Sequence, residues 1–305
     1  MRVAIVGLGS IGKRHYDLLC SRGAEVAVSS TVLNHSGIKN LTLQELVTNF
    51  SPSVIWVCNE TNKHHETLEQ ILSLGYKGKV LIEKPVFHEK KDITSLPQDR
   101  VYVSYNLRFH PGIQMLKSEL IKNKEKIIAL NCYVGQYLPL WRPDRDYRKS
   151  YSASAEQGGG CLRDLSHELD YVTWICGFPD ELTATGGKIS GLEINSDDYF
   201  SILLKGKNFP VSSVTLNYLD RSVQRFLMVQ TNLGSYYLNF IDGTLKRDAD
   251  TIMDSVKIAE TYSRQVNSIL ENNFDSFATL KDSNRLLGLL EKCEESNKET
   301  KWVRL

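Results

Sequence analysis

No run of about 18 apolar residues occurs in this sequence, which leaves no candidate for a membrane span. Charge of one sign is not in excess either. Lys and Arg number 37 and Asp and Glu 36, a net charge of +1, which gives no support to a role on nucleic acid or a membrane surface. The cysteines Cys20, Cys58, Cys132, Cys161, Cys176 and Cys293 form no CxxC pair. They are expected to be buried thiols of a reducing compartment, not a disulfide framework or a zinc site. No set of His, Cys and acidic residues has metal-ligand spacing, so no metal is expected. There are no internal repeats and no low-complexity linker. The start has no charged leader followed by a long apolar segment, because Arg2 passes at once into Val3-Ala4-Ile5-Val6. A cytoplasmic enzyme is the expectation.

What is present is the make-up of an ordinary globular protein, with 41% hydrophobic and 24% charged residues. A chain of 305 residues is about twice a usual domain, so two domains are expected, and each can bury a core. The first third alternates strand and helix signals. Val3 to Val6 is a short apolar run ending at Gly7, followed by a helical stretch from Ile11 that Gly23 stops. Glu25 to Ser29 is the next strand. Thr42 and Glu45 predict a capping box ahead of Leu46, Val47 and Phe50. Val54 to Cys58 is a third strand. Asn62 is expected to cap a helix carrying Leu68, Ile71 and Leu72, and Val80–Ile82 and Val101–Val103 supply two more strands. Such alternation implies βαβ units and a doubly wound parallel sheet, which binds ligands at the carboxyl ends of its strands.

From about residue 120 the texture changes. Lys126–Tyr133, Tyr199–Leu204, Val211–Tyr218, Arg225–Gln230 and Ser235–Phe240 read as strands, the last two joined by a hairpin at Thr231 to Gly234. One helix is expected around Leu162 to Trp174. A long amphipathic helix from Ser263 to Glu295, broken near Asp282, closes the chain. The reading is a doubly wound parallel α/β domain over 1–118 and an α+β domain with a mostly antiparallel sheet over 119–305.

Three motifs carry chemistry. Gly7-Leu8-Gly9-Ser10-Ile11-Gly12 begins where the first strand stops and opens a helix. Gly7 makes the turn, Gly9 admits a pyrophosphate, Gly12 allows close packing, and the helix N-terminus offers free N–H groups. The bland alternative is a glycine-rich turn without ligand. About 20 residues on, NAD sites place an acid on the ribose. This chain has Ser29-Ser30-Thr31, which tolerates a 2′-phosphate, and Lys13 and Arg14 lie near in sequence. NAD(P) is expected, leaning to NADP; equally, the serines simply begin a loop and NAD binds. Second, Glu83-Lys84-Pro85 follows a buried strand, so Lys84 can hydrogen-bond a reacting oxygen; a surface lysine is the alternative. Third, Gly158-Gly159-Gly160 lead into a helix with Asp164, His167 and Asp170 on one face. His167 can carry a proton, and Asp170 can brace it. A helix-surface histidine among solvated acids is the alternative. A further stretch, Tyr137 to Lys149, is rich in arginine and aromatics, Trp141 and Arg142 among them. It suits an anionic substrate or, alternatively, is a solvated loop with internal Asp–Arg pairs.

Taken with Thr61-Asn62-Lys63-His64 and Asn106-Leu107-Arg108-Phe109, these motifs make the chain resemble the Gfo/Idh/MocA oxidoreductases. The likeness covers nearly the whole chain, strongest over 1–112 and 156–177. It implies that Lys84 positions the reacting oxygen, that His167 is the acid/base residue, and that Asp164 assists. The family spaces that Asp and His by four residues more often than by the three found here. The expected cofactor set is Gly7, Gly9, Ser10, Ile11, Gly12, Ser29, Ser30, Asn59, Asn62, His64, Glu83, Lys84 and Asn106. The expected substrate set is Arg108, Trp141, Arg142, Arg163, Asp164 and His167. The resemblance further implies that the first domain is a Rossmann fold and the second sheet open-faced, with a sugar-like substrate and a homodimer or homotetramer formed through that sheet. Two rival readings stay open: a cofactor-binding regulator without catalysis, and a reductase of a non-sugar carbonyl.

Overall fold

The computed structural model describes residues 1–31 and 37–305. Along the chain run β1 (Arg2–Val6), α1 (Ser10–Ser21), β2 (Glu25–Ser29), α2 (Leu43–Glu45), β3 (Val54–Val57), α3 (His64–Ser73), β4 (Lys79–Glu83) and β5 (Val101–Ser104). Then come α4 (Pro111–Lys122), β6 (Ile127–Gly135), α5 (Cys161–Asp164), α6 (His167–Cys176), β7 (Glu181–Gly187), β8 (Tyr199–Gly206) and β9 (Phe209–Asn217). The chain ends with β10 (Gln224–Thr231), β11 (Ser235–Asn239), β12 (Thr244–Arg247), β13 (Asp250–Met253), α7 (Glu260–Leu270), β14 (Ala278–Thr279), α8 (Leu280–Glu299) and β15 (Val303–Arg304).

Two compact units divide these elements. One holds Met1–Asn106 and Tyr262–Leu287, the other Leu107–Thr261 and Gly288–Leu305. A single boundary near 118 therefore does not describe the chain. The reason is β14, which pairs antiparallel with β5 and so returns a late segment to the first sheet.

In the first unit, β2, β1, β3, β4 and β5 are parallel neighbours in that order, with β14 at the edge. Both faces are covered, which is why β1 and β3 read as unbroken apolar runs: Val3, Ala4, Ile5, Ile55, Trp56 and Val57 are fully buried. The order reverses at β1, with β2 on one side and β3 on the other. Such a switch point opens a crevice at the carboxyl ends of these strands. The capping box forms as expected, with Thr42 Oγ1 accepting from the Glu45 N–H and Glu45 accepting from the Thr42 N–H.

In the second unit a nine-stranded sheet runs β13-β12-β11-β10-β6-β9-β8-β7-β15. Among the described residues of this sheet, only β6 and β9 pair in parallel. Leu130, Cys132, Val214, Leu216, Ile202 and Leu227 alternate inward and are buried. Tyr133, Phe226 and Tyr237 meet on the other face, with ring centroids 5.5 and 5.8 Å apart, and Leu203 and Val211 are exposed there. Two sequence expectations fail locally. The helix at 162–174 is two helices, because α5 stops at Asp164 and α6 starts at His167. The closing helix is interrupted over 271–279, where β14 intervenes. Cys20 is exposed, unlike the other five cysteines, because it lies on the outward side of α1; all six are free.

Candidate functional site

Gly7 turns the chain at the end of β1 with φ 93°, and its N–H donates to the Ser29 carbonyl at 2.8 Å. A Cβ on Gly7 would stand 2.6 Å from the Asn59 nitrogen, so the loop after β3 packs directly on this turn. A Cβ on Gly12 would stand 2.1 Å from the Gly7 carbonyl oxygen, so only glycine lets α1 dock so closely. Gly9 differs: among the described residues nothing lies within 4 Å of the position its Cβ would take. It precedes α1, whose first turn has no side-chain cap and no acidic residue, leaving N–H groups and the positive dipole end for an anion.

Gly7, Gly9, Ser10, Ile11, Ser29, Ser30 and Asn59 line one cavity of about 800 Å³. Asn59 Nδ2 donates to Thr67 Oγ1 at 2.8 Å, while its Oδ1 is buried with no partner among the described residues. A glycine facing open space, an uncapped helix start and an orphaned buried acceptor together fit a dinucleotide.

At the ribose end, Ser30 Oγ accepts from the Leu8 N–H at 3.3 Å, and Asn40 clasps the Ser30 backbone. The two cations expected to favour a 2′-phosphate are engaged elsewhere. Lys13 pairs with Asp17 at 2.5 Å, one helical turn on, and Arg14 lies over the Tyr262 ring at 4.6 Å. Glu45 lines the same cavity, and hydrogen bonds from the Thr42 backbone and side chain hold its carboxyl below the usual range. Residues 32–36 lie outside the described set.

The second cluster of predicted residues surrounds the end of β4. Lys84 is half-buried, and the Lys84–Pro85 peptide is cis. His64 is 1% exposed, its Nδ1 set against the carbonyls of Pro85 and Val86 and its Nε2 against that of Asn59. Burial holds its pKa below the ordinary histidine value. His64 is thus a strut between the loops after β3 and β4, not a wall of the cavity. Asn62 does not cap α3. It sits exposed inside a 3₁₀ turn, Thr61–Lys63, and Lys63 takes the cap position. Glu83 turns its carboxylate inward, accepting from His15 Nε2 at 2.8 Å and Trp56 Nε1 at 3.1 Å. Asn106 is buried at the start of the 3₁₀ turn Asn106–Phe109.

In the second unit, Gly160 has φ 122°, and a Cβ there would strike the Asp197 carboxylate. Asp197 Oδ2 accepts from the Leu162 N–H at 2.8 Å, which fixes the start of α5. Asp164 and His167 therefore do not share one continuous helical face: one ends α5 and the other opens α6. Asp164 Oδ2 accepts from Ser152 Oγ at 2.5 Å and from Tyr218 Oη at 2.7 Å. Burial pushes the Tyr218 phenol well up, so it remains a donor. Trp141 meets Tyr218 edge-on with centroids 5.1 Å apart, and its Nε1 is buried with no hydrogen-bond partner among the described residues. His167 is half-buried.

Two residues of the expected substrate set are paired within the fold. Asp170 holds Arg108 through both carboxylate oxygens, at 2.9 and 2.8 Å, and both side chains are buried, so Arg108 is a core group, not a substrate contact. Asp170 thus lies buried in α6, one turn after His167. Arg163 pairs with Glu294 of α8. In the arginine-rich stretch, Arg148 pairs with Asp146 at 2.8 Å and Glu193 at 2.9 Å, as in the solvated-loop reading, while Arg142 is exposed. His15, Trp56, Ser152 and Tyr218 escaped the sequence reading because no local motif marks them. Tyr218 gave only a strand signal.

Comparisons with known proteins bear on this arrangement. Residues 1–98 match the oxidoreductase family with an NAD-binding Rossmann fold, and residues 125–245 match the GFO/IDH/MocA C-terminal domain. A search of curated proteins by sequence gave no match. Among solved structures, the chain is similar to a levoglucosan dehydrogenase in complex with NADH and levoglucosan, with TM-score 0.83 and 16% identity, covering 100% of this chain and 99% of that one. It is similar to a myo-inositol dehydrogenase from Corynebacterium glutamicum, with TM-score 0.81 and 18% identity over 100% and 98%. It is also similar to the WlbA dehydrogenase from Bordetella pertussis in complex with NADH and UDP-GlcNAcA, with TM-score 0.80 and 16% identity over 100% and 97%. At these identities the structures speak to the fold, and the two family models, which between them take in both sheets, show that the chain belongs to the Gfo/Idh/MocA oxidoreductases.

Proposed function

We propose that the protein is an NAD(P)-dependent dehydrogenase or ketoreductase acting on a sugar, a sugar acid or a nucleotide sugar. The observation that carries this reading is an open phosphate cradle at Gly9 in the same unit as a half-buried lysine at the carboxyl end of β4. The nicotinamide, when bound, supplies or accepts the hydride. Lys84 donates a hydrogen bond to the reacting oxygen and favours negative charge on it. His167 is the acid/base residue of the reaction, giving or taking a proton as an imidazole can. Asp164, steadied by Ser152 and Tyr218, accepts hydrogen bonds from substrate hydroxyls. Trp141 offers a ring face to a sugar, and the exposed Arg142 favours an anionic substrate. The levoglucosan, myo-inositol and UDP-GlcNAcA in the names of similar structures support the substrate class.

For the cofactor, the positions of Lys13, Arg14 and Glu45 move our reading from NADP toward NAD. Two cations are engaged elsewhere and one carboxylate stays ionised on the cavity wall, which opposes an added phosphate. Titration with NADH and NADPH, followed by fluorescence, checks this: NADH is expected to bind tighter by about tenfold. Tighter NADPH binding returns the preference to NADP.

We also propose self-association through the outer face of the nine-stranded sheet, where Tyr133, Phe226, Tyr237, Leu203 and Val211 lie. The catalytic reading is tested with a panel of sugars, sugar acids and nucleotide sugars, monitored by nicotinamide absorbance. Turnover with none of them, despite dinucleotide binding, favours a regulator.

A further inference from the structure

His15 lies on the inward side of α1, a turn and a half past the glycine cradle, and is fully buried. Its ring stacks on Trp56 of β3, with centroids 3.6 Å apart and planes 21° from parallel. Both rings aim a nitrogen at one atom. Glu83 Oε1 receives His15 Nε2 at 2.8 Å and the Trp56 indole N–H at 3.1 Å. The Glu83 side chain is 14% exposed, and Glu83 is the last residue of β4, immediately before Lys84.

The protonation of this group follows from its partners. An indole N–H only donates, so Glu83 must accept. His15 Nδ1 is buried and meets no partner among the described residues, so a proton there would have no acceptor. The arrangement assigns the donated proton to Nε2. Glu83 therefore offers one carboxylate oxygen to two donors, one residue from the lysine. Burial above all, and the Glu83 charge after it, push the Cys58 thiol well above its usual value, so Cys58 beside them is a spectator thiol.

We propose that His15 and Trp56 are positioning residues for Lys84, holding the Glu83 carboxylate as a fixed anion at the root of the lysine's turn. The unit ties together the helix that opens on the phosphate cradle, the central strand β3 and the exit of β4. It sets the direction from which Lys84 leaves the sheet and fixes a carboxylate one residue before it. This deepens the catalytic reading of Lys84 and rests on it, but can be measured without turnover.

The test is acetylation of the full-length protein by acetic anhydride at one fixed pH, with the rate at Lys84 read by mass spectrometry relative to Lys13. His15→Phe keeps a ring to stack on Trp56 and removes the donor. His15→Gln removes the ring and keeps an amide donor of similar reach. Glu83→Gln keeps the shape and removes the charge. Glu83→Gln is expected to raise Lys84 acetylation about fivefold, the scale of losing one nearby charge at partial burial, and His15→Phe, which keeps the charge but releases its carboxylate, to change it by more than about twofold. His15→Gln is expected to stay within about twofold of the natural protein. An unchanged Lys84 rate in both His15→Phe and Glu83→Gln overturns the proposal. So does His15→Gln behaving like His15→Phe, which assigns the histidine to packing alone. If His15→Phe does not fold, Glu83→Gln decides: a raised rate supports the unit and an unchanged rate overturns it. A labelling response in a protein that turns over no substrate defeats the catalytic reading and leaves this inference standing. Turnover with silent labelling does the reverse.

Discussion

His64 shows how burial turns one side chain into a pH-dependent strut. The unfolded ring titrates near 6.5, and burial lowers the folded value, so below that pH the unfolded chain binds more protons. The contribution of His64 is complete above about pH 6.5 and is lost as pH falls toward the folded value. Thermal unfolding followed from about pH 8 to about pH 5 should show a falling Tm, and His64→Asn should flatten that fall. Equal slopes in both proteins would assign the pH response elsewhere. The Arg108–Asp170 pair makes a second residue-scale prediction. Asp170→Ala leaves a guanidinium buried and unpaired, and urea unfolding should show a loss of about 3–5 kcal/mol. Sequence reading placed Arg108 in the substrate set because a motif offers residue identity without burial. Its partner stands 62 positions away, and only folding brings the two together.

Among elements, the glycine turn and α1 separate folding from binding. Gly12→Ala drives a Cβ into the Gly7 carbonyl, so both Tm and dinucleotide affinity should fall. Gly9→Ala meets open space and extended backbone, so Tm should hold within about 2 °C while dinucleotide affinity drops by about tenfold or more. Calorimetry with fluorescence titration measures both, and unchanged affinity in Gly9→Ala would remove the phosphate from this turn. The strands that carry this turn were legible because each is a buried apolar run bounded by glycine or a polar loop. The β14 strand was not, since two residues leave no period. The break between α5 and α6 was not legible either. Cys161 to Cys176 contains no Gly or Pro, and the interruption comes at Leu165, at φ −97° and ψ 21°. Asp197, from a distant loop, fixes where α5 starts, which local pattern cannot reveal.

For the whole molecule, chain order and spatial order differ. Tyr262–Leu287 belongs to the unit of the first sheet, while Gly288–Leu305 belongs to the unit of the second. The motifs were legible because they sit at strand ends and helix starts, where few residue types serve. The residues that steady them, Tyr218 on Asp164 and His15 on Glu83, are joined only by topology. Self-association is read by light scattering. The outer sheet face predicts a dimer or tetramer, and Tyr237→Lys should shift it toward the monomer. An unaltered assembly would place the contact elsewhere. The proposed function gives Lys84 the role of polarising the reacting oxygen and His167 that of acid/base residue. Its most direct test is a single-turnover absorbance measurement on the natural protein, Lys84→Ala, His167→Ala and the double variant, with a substrate found in the sugar panel. Each single change should slow nicotinamide oxidation or reduction by about 10²-fold or more, with dinucleotide affinity retained, and the double variant should lose less than the product of the two. Rates in either single variant within a few-fold of the natural protein would contradict the account.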